Sequence, residues 1–184
     1  MDITINRLLR ESMDRGALDP DQIPDLDLYI DQIIMLIENF VGTQPDGQPP
    51  LTRTMIHNYS KAGLISPVKG KKYSKEHIME MFAVYSLKNT LSIEQIKRVL
   101  CALDNGQSDL LNEKYQEYLQ GNQQLREDAC QAIEQLMEGV ASDDYAGLYT
   151  RLLLLADMAQ MLTDFARRIA EQCYPDPPMK GKKK

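Results

Sequence analysis

Apolar residues recur along the chain at the three- and four-residue spacing of helices, and clusters of Pro, Gly and Asp punctuate them. Ile5, Leu8, Leu9 and Met13 form one stripe within residues 3–15, so the spacing predicts a short packing helix that stops at Gly16. Residues 17–26, ALDPDQIPDL, hold Pro20 and Pro24 and predict an extended connector, because proline removes a backbone donor and clashes with the preceding turn. Asp27 is placed to cap a helix with the body LYIDQIIMLIENF, in which Ile30, Ile33, Ile34, Ile37 and Phe40 make a broad buried face before Gly42.

The rhythm then changes. TQPDGQPP, residues 43–50, predicts a loop of polyproline character, longer than the tight turn that usually joins the two helices of a helix-turn-helix. Thr52 is a cap for a predicted helix to Ala62, with Met55, Ile56 and Tyr59 inward and Arg53, His57, Asn58 and Lys61 outward. Gly63 suits the left-handed residue that ends a helix, and Leu64 and Ile65 return to the core. PVKGKKY reads as a small β-wing, two short arms around Lys69 and Gly70. Ser74 predicts a cap for a helix over 75–89, and Ser92 with Gln95 has capping-box spacing for one from Ile93 to about Leu103.

Beyond Asn105 and Gly106 the pattern is purely helical. Leu110, Leu111, Tyr115, Tyr118 and Leu119 make one stripe, which Leu125, Ala129, Ile133, Leu136 and Met137 continue past an expected kink or break at Gly121. Ser142 and Asp143 open a last predicted helix through Tyr174, with Leu148, Leu152, Leu155, Met158, Met161, Leu162, Phe165 and Ile169 on a broad face. Pro175, Pro177 and Pro178 end it, and KGKKK reads as a frayed basic tail.

Composition adds limits. With 184 residues, 43% apolar and 26% charged, the chain can bury a core as one domain or two small ones. Ten Met and no Trp favour helix-on-helix packing with adaptable side chains. Cys101, Cys130 and Cys173 are odd in number and far apart, without a CxxC pair, which points to a reduced cytoplasmic protein. MDITINRLLRES lacks the apolar core of a signal peptide, and no apolar run is longer than that of Leu152 to Ala156, which is too short to span a bilayer.

Charge singles out one stretch. From Leu51 to Lys75 there is no Asp or Glu, while Arg53, Lys61, Lys69, Lys71, Lys72 and Lys75 supply six positive charges; the chain is formally −6, so the remainder carries −12. Such a local excess on a short helix and a tight basic turn is the footprint expected of a phosphate-binding surface. Asn58 could read an adenine edge and Arg53 or Lys61 a guanine or a phosphate, while Lys69, Lys71 and Lys72 would reach flanking phosphates. A solvated helix face and a solubilising hairpin tip are the bland alternatives; the complete apolar side and the lack of acid favour DNA. Thr52 and Tyr73 adjoin these groups and complete the candidate set, although Tyr59 and Tyr73 read first as packing residues.

Other chemistry finds no footing in the residues. His57 and His77 stand without a thiolate or carboxylate cluster at ligand spacing, so no metal is expected. There is no phosphate-cradling Gly-rich loop, nucleophile elbow or HExxH, so neither an enzyme nor a cofactor is expected.

Joined in order, TMIHNYSKAGLISP, KKYSKEHI and LSIEQIKRVL resemble the MerR-type winged-helix family. That family's signature is a recognition helix ending in Tyr-x-x-x-Gly-Leu, a basic wing closing on Tyr-Ser or Tyr-Thr, and a helix pair whose second member begins with Leu-Ser and acidic residues. Tyr59, Gly63 and Leu64 match the first part, Lys71, Tyr73 and Ser74 the second, and Leu91, Ser92, Glu94 and Ile96 the third. His57 stands where the family usually carries Arg, and Asn58 where an aromatic is common. With IPDLDLYIDQ, residues 23–32, the resemblance extends across the chain to a bacterial family of uncharacterised regulators with a MerR-like module, and it implies no activity by itself.

The expectation is therefore a mostly α protein. Residues 1–22 form a helical arm and connector, 23–104 a MerR-like winged helix-turn-helix with a small β-wing, 105–176 long helices that pack as a bundle or dimerise, and 177–184 a disordered basic tail. The expected function is sequence-specific binding of double-stranded DNA by a cytoplasmic, nucleoid-associated transcriptional regulator, most simply a repressor, acting as a homodimer through residues 108–174. The alternative is a helical protein–protein interaction module on the same scaffold. The residues do not say whether a small-molecule effector exists.

Overall fold

The structure, a computed structural model, describes residues 2–13, 20–42, 49–68, 70–103 and 110–177. Among these residues it is mostly helical, with seven α-helices and a small antiparallel sheet of two strands. Among the described residues no helix is long and apolar enough to cross a membrane.

Helix α1 (Ile3–Met13) is capped by Asp2, whose carboxylate accepts from the Thr4 N–H at 2.8 Å, and it buries Ile5 and Leu9. In the connector, a 3-10 turn at Pro20–Gln22 buries Pro20 and leads Ile23 into the core. Strand β1 (Leu28–Tyr29) runs directly into α2 (Ile30–Val41). The helix thus starts later than a cap at Asp27 would place it: Tyr29 takes the cap position, its N–H donating to Gln32 Oε1 at 2.9 Å. Residues 28 and 29 are held extended because they pair with β2 (Lys72–Tyr73), Leu28 opposite Tyr73 and Tyr29 opposite Lys72.

This pairing corrects the expected wing. The partner of Lys72–Tyr73 is the strand ahead of α2 rather than the arm on the other side of Gly70. Pro67 on that arm has no N–H to give a ladder, whereas Leu28 brings a buried side chain to the core.

The core forms where α2 and α3 (Arg53–Ala62) meet α4 (Lys75–Leu87) and α5 (Ile93–Leu103). Ile33, Ile37, Leu51, Ile56, Ile78, Met81 and Val84 are closed to solvent, and Ile96 nearly so. Ser92 and Gln95 make the reciprocal capping box expected of α5, the Ser92 N–H donating to Gln95 Oε1 at 2.8 Å and the Gln95 N–H to Ser92 Oγ at 3.2 Å.

Helices α6 (Leu110–Leu136) and α7 (Tyr145–Gln172) form a hairpin with both outer ends at this core. Tyr115 of α6 sets its ring edge-on to Phe82, centroids 5.5 Å apart, while Ala166 and Ala170 of α7 reach the same cluster. Arg167 Nε donates to the Thr90 carbonyl at 2.9 Å and Gln95 Nε2 to Glu171 Oε1 at 2.7 Å, which fixes α7 along α5. At the far end, α1 closes the turn of the hairpin through Ile5, Met137 and Val140.

Helix α6 passes through Gly121 without the expected break. A helical Gly costs about 1 kcal/mol against Ala, and pairs one turn apart recover only part of it: Gln124 with Asp128 at 2.9 Å and Arg126 with Asn122 at 3.3 Å. Arg126 also donates to the Met13 carbonyl, tying α6 to α1. Most of the broad apolar face expected on the last helix is uncovered: Leu152, Met158, Met161, Leu162, Phe165 and Ile169 are exposed, whereas Leu148 packs on the Met137 cluster, Leu155 is half-buried, and Ala170 is the residue of α7 that is buried.

Candidate nucleic-acid interface

Helix α3 is fixed at both ends. Thr52 Oγ1 accepts from the Met55 N–H at 3.2 Å, and Lys88 Nζ holds the chain just ahead of it by donating to the Pro50 carbonyl at 3.1 Å. Burial and the Tyr85 ring, 4.6 Å from Nζ, surround that ammonium, and burial pushes its pKa below the ordinary lysine value. At the other end Gly63 adopts φ 75°, ψ 32°, a left-handed conformation that costs a residue with a Cβ more than it costs glycine. The Leu64 N–H then closes on the Tyr59 carbonyl at 2.9 Å, and Leu64 and Ile65 enter the core. Ser66 secures the exit by donating its N–H to Glu80 at 2.8 Å.

Held this way, α3 buries Ile56 and Tyr59, and burial pushes the Tyr59 hydroxyl pKa up. Arg53, His57 and Lys61 recur every fourth residue on the exposed side, with Asn58 beside them. The side chains of His57, Asn58 and Lys61 make no hydrogen bond or ion pair among the described residues, so their polar ends are open to a ligand.

The basic turn is braced from beneath. Gly70 has φ 90°, again left-handed, and leads to exposed Lys71 and Lys72. Lys72 sits opposite Tyr29 across the sheet, with Nζ 5.2 Å from the ring centroid, a cation–π contact that orients the ammonium without neutralising it. Tyr73 is half-buried, its ring edge-on to His77 at 6.0 Å, as expected of a packing residue. His77 Nδ1 lies 2.7 Å from Ser74 Oγ, and a hydrogen bond from Ser74 holds the Glu76 carboxyl below its ordinary range at the start of α4. Lys69, the remaining candidate, lies outside the described residues.

The surface also holds a residue that the chain-order reading missed. Asp31, in the first turn of α2, takes the guanidinium of Arg53: Nη2 lies 2.5 Å from Oδ1 and 2.7 Å from Oδ2. Counting acids between positions 51 and 75 could not reveal this, because Asp31 arrives through the packing of α2 on α3. Both partners are more than half exposed, and pairs of that kind contribute about 0–1 kcal/mol. Among the described residues no group of three or more His, Cys, Asp or Glu is placed to hold a metal ion.

A family model described as a domain of unknown function (DUF1836) matches residues 18–119, more than half of the chain. The matched range runs from the connector into α6 and contains every candidate residue, with α1 and the greater part of the α6–α7 hairpin outside it. No curated protein and no solved structure matches the chain.

Proposed function

The chain belongs to the DUF1836 family, and we propose that it is a sequence-specific, double-stranded DNA-binding transcriptional regulator, most simply a repressor, built on a MerR-like winged helix-turn-helix. In this reading α2 and α3 are the two helices of the motif. Helix α3 lies in the major groove, and the turn at Gly70–Lys72, braced by β1, rests on neighbouring phosphates at the nucleoid.

The observation that carries the reading is the placement of Arg53, His57, Asn58 and Lys61 on one open side of α3, whose other side is shut into the core, beside exposed Lys71 and Lys72. A ten-residue helix is about 15 Å long, on the scale of a major groove about 12 Å wide. The Asp31 carboxylate does not block it, because it holds Arg53 through Nη2 alone, whereas a phosphate can take two guanidinium N–H groups in parallel. The test is a titration of the full chain on random-sequence duplex, then on duplexes selected from it, over a series of salt concentrations. Log affinity should fall with log salt at about −0.9 per neutralised phosphate. Failure to bind any duplex at low salt would overturn the proposal.

One observation favours the second reading, a protein–protein interaction module. Arg53, the first cation of the open face, is already engaged within the chain by Asp31. On that reading the basic face meets an acidic protein, and the chain retains a protein partner in a pull-down while binding no duplex.

A further inference from the structure

Leu154, Met158, Met161, Leu162, Phe165 and Ile169 lie uncovered along one side of α7, from 38% to 65% exposed. At about 100° per residue they fall in a sector roughly 100° wide, the width of an apolar stripe that serves one helical partner. The face that seats Ala166 and Ala170 against the core is about a third of a turn away, so that contact leaves the stripe free. The intervals between the six residues are four, three, one, three and four, the same from either end. Reversing the helix about the point between Met161 and Leu162 therefore lays Leu154 on Ile169, Met158 on Phe165 and Met161 on Leu162.

Self-complementarity under reversal is what a two-fold contact between identical helices requires and what an unrelated partner does not. Tyr145, Tyr149, Leu152 and Leu153, also exposed near the start of α7, are spaced four, three and one, and that pattern is not the same reversed. Charge agrees with the first stripe. Asp157 and Arg168 border the same edge of it, and the reversal brings each within two positions, about 3 Å along the axis, of its opposite on the second helix.

We propose that a second copy of this chain covers the stripe, α7 packing antiparallel on α7 with the two-fold axis between Met161 and Leu162. Six half-exposed side chains per copy, at roughly 100 Å² each, would remove about 1,200 Å² from water, which reaches the lower end of specific interfaces. The arrangement goes beyond the proposed function and stands or falls independently of DNA.

The experiment uses the full chain. Light scattering at micromolar concentration should give twice the 21.0 kDa chain mass. Met158→Glu with Phe165→Glu should give 21.0 kDa with unchanged helical circular dichroism, because neither side chain is buried in the single chain. Register is read by mild oxidation, with the unmodified chain and its native thiols as baseline. Met161→Cys should form a disulfide dimer by itself, whereas Leu154→Cys and Ile169→Cys should link only when mixed, since like residues there lie about 22 Å apart along the axis. A 21.0 kDa mass for the unmodified chain, a dimer that survives both glutamates, or self-linking of Leu154→Cys would each overturn the proposal.

Discussion

Arg53 is the side chain at which the two readings of the basic surface part. If Asp31 only holds Arg53 until a phosphate replaces it, then Asp31→Asn should tighten duplex binding, by about five-fold for 1 kcal/mol. The variant also removes a negative charge beside the backbone, so the gain should shrink as salt rises. Fluorescence anisotropy at two salt concentrations measures it, and unchanged affinity would assign the pair to a solvated surface. Groups on the same face should then separate by role. Lys71→Ala with Lys72→Ala should weaken all duplexes by similar factors and flatten the salt slope, since phosphate contacts carry little sequence information. Asn58→Ala should instead relax preference at one base pair, by about 1–3 kcal/mol if it makes a bidentate contact. A selected operator, its single-base variants and an unrelated duplex distinguish the two; equal affinities for the double lysine variant and the parent would remove the electrostatic support for a DNA-binding wing.

Elements differ in how far the sequence exposes them. Both ends of α3 and the start of α5 were legible because their signals are local: Thr52, Gly63 and the Ser92–Gln95 pair each act within one turn of chain. The sheet was not, because two residues on each side carry no periodicity and β1 lies more than forty residues ahead of its partner. Gly121 misled for a related reason, since its cost is visible in the sequence while the packing of α6 on α1 and α4 that outweighs it is not. The inward and outward sides of α3, by contrast, were readable residue by residue, and neighbouring substitutions should show it. Ile56→Ala, at a site closed to solvent, should cost about 2–5 kcal/mol in urea-unfolding free energy. His57→Ala, one position along and exposed, should stay within about 0.5 kcal/mol. Similar losses at both positions would mean that α3 is not seated with Ile56 inward.

Across the whole molecule, the open basic face of α3 and the uncovered stripe of α7 are joined through α5. Helix α7 is fastened through Arg167 to Thr90 just ahead of α5 and through Glu171 to Gln95 of α5, and α5 shares a core with α3, so a two-fold axis on α7 would set two copies of α3 in a fixed, opposed relation. A symmetric pair of that kind reads an inverted repeat, and each half-site then gains from the other by effective concentration. The monomeric variant, Met158→Glu with Phe165→Glu, should therefore bind a single half-site as tightly as the parent chain. On the inverted repeat it should lose about 10²- to 10⁴-fold, the usual yield of linking two sites. Titrations on the two duplexes separate the possible failures. Loss on the half-site as well would mean that the substitutions disturb the reading module itself. Equal binding of parent and variant to the inverted repeat would mean that the two copies do not read DNA together, even if they associate through α7.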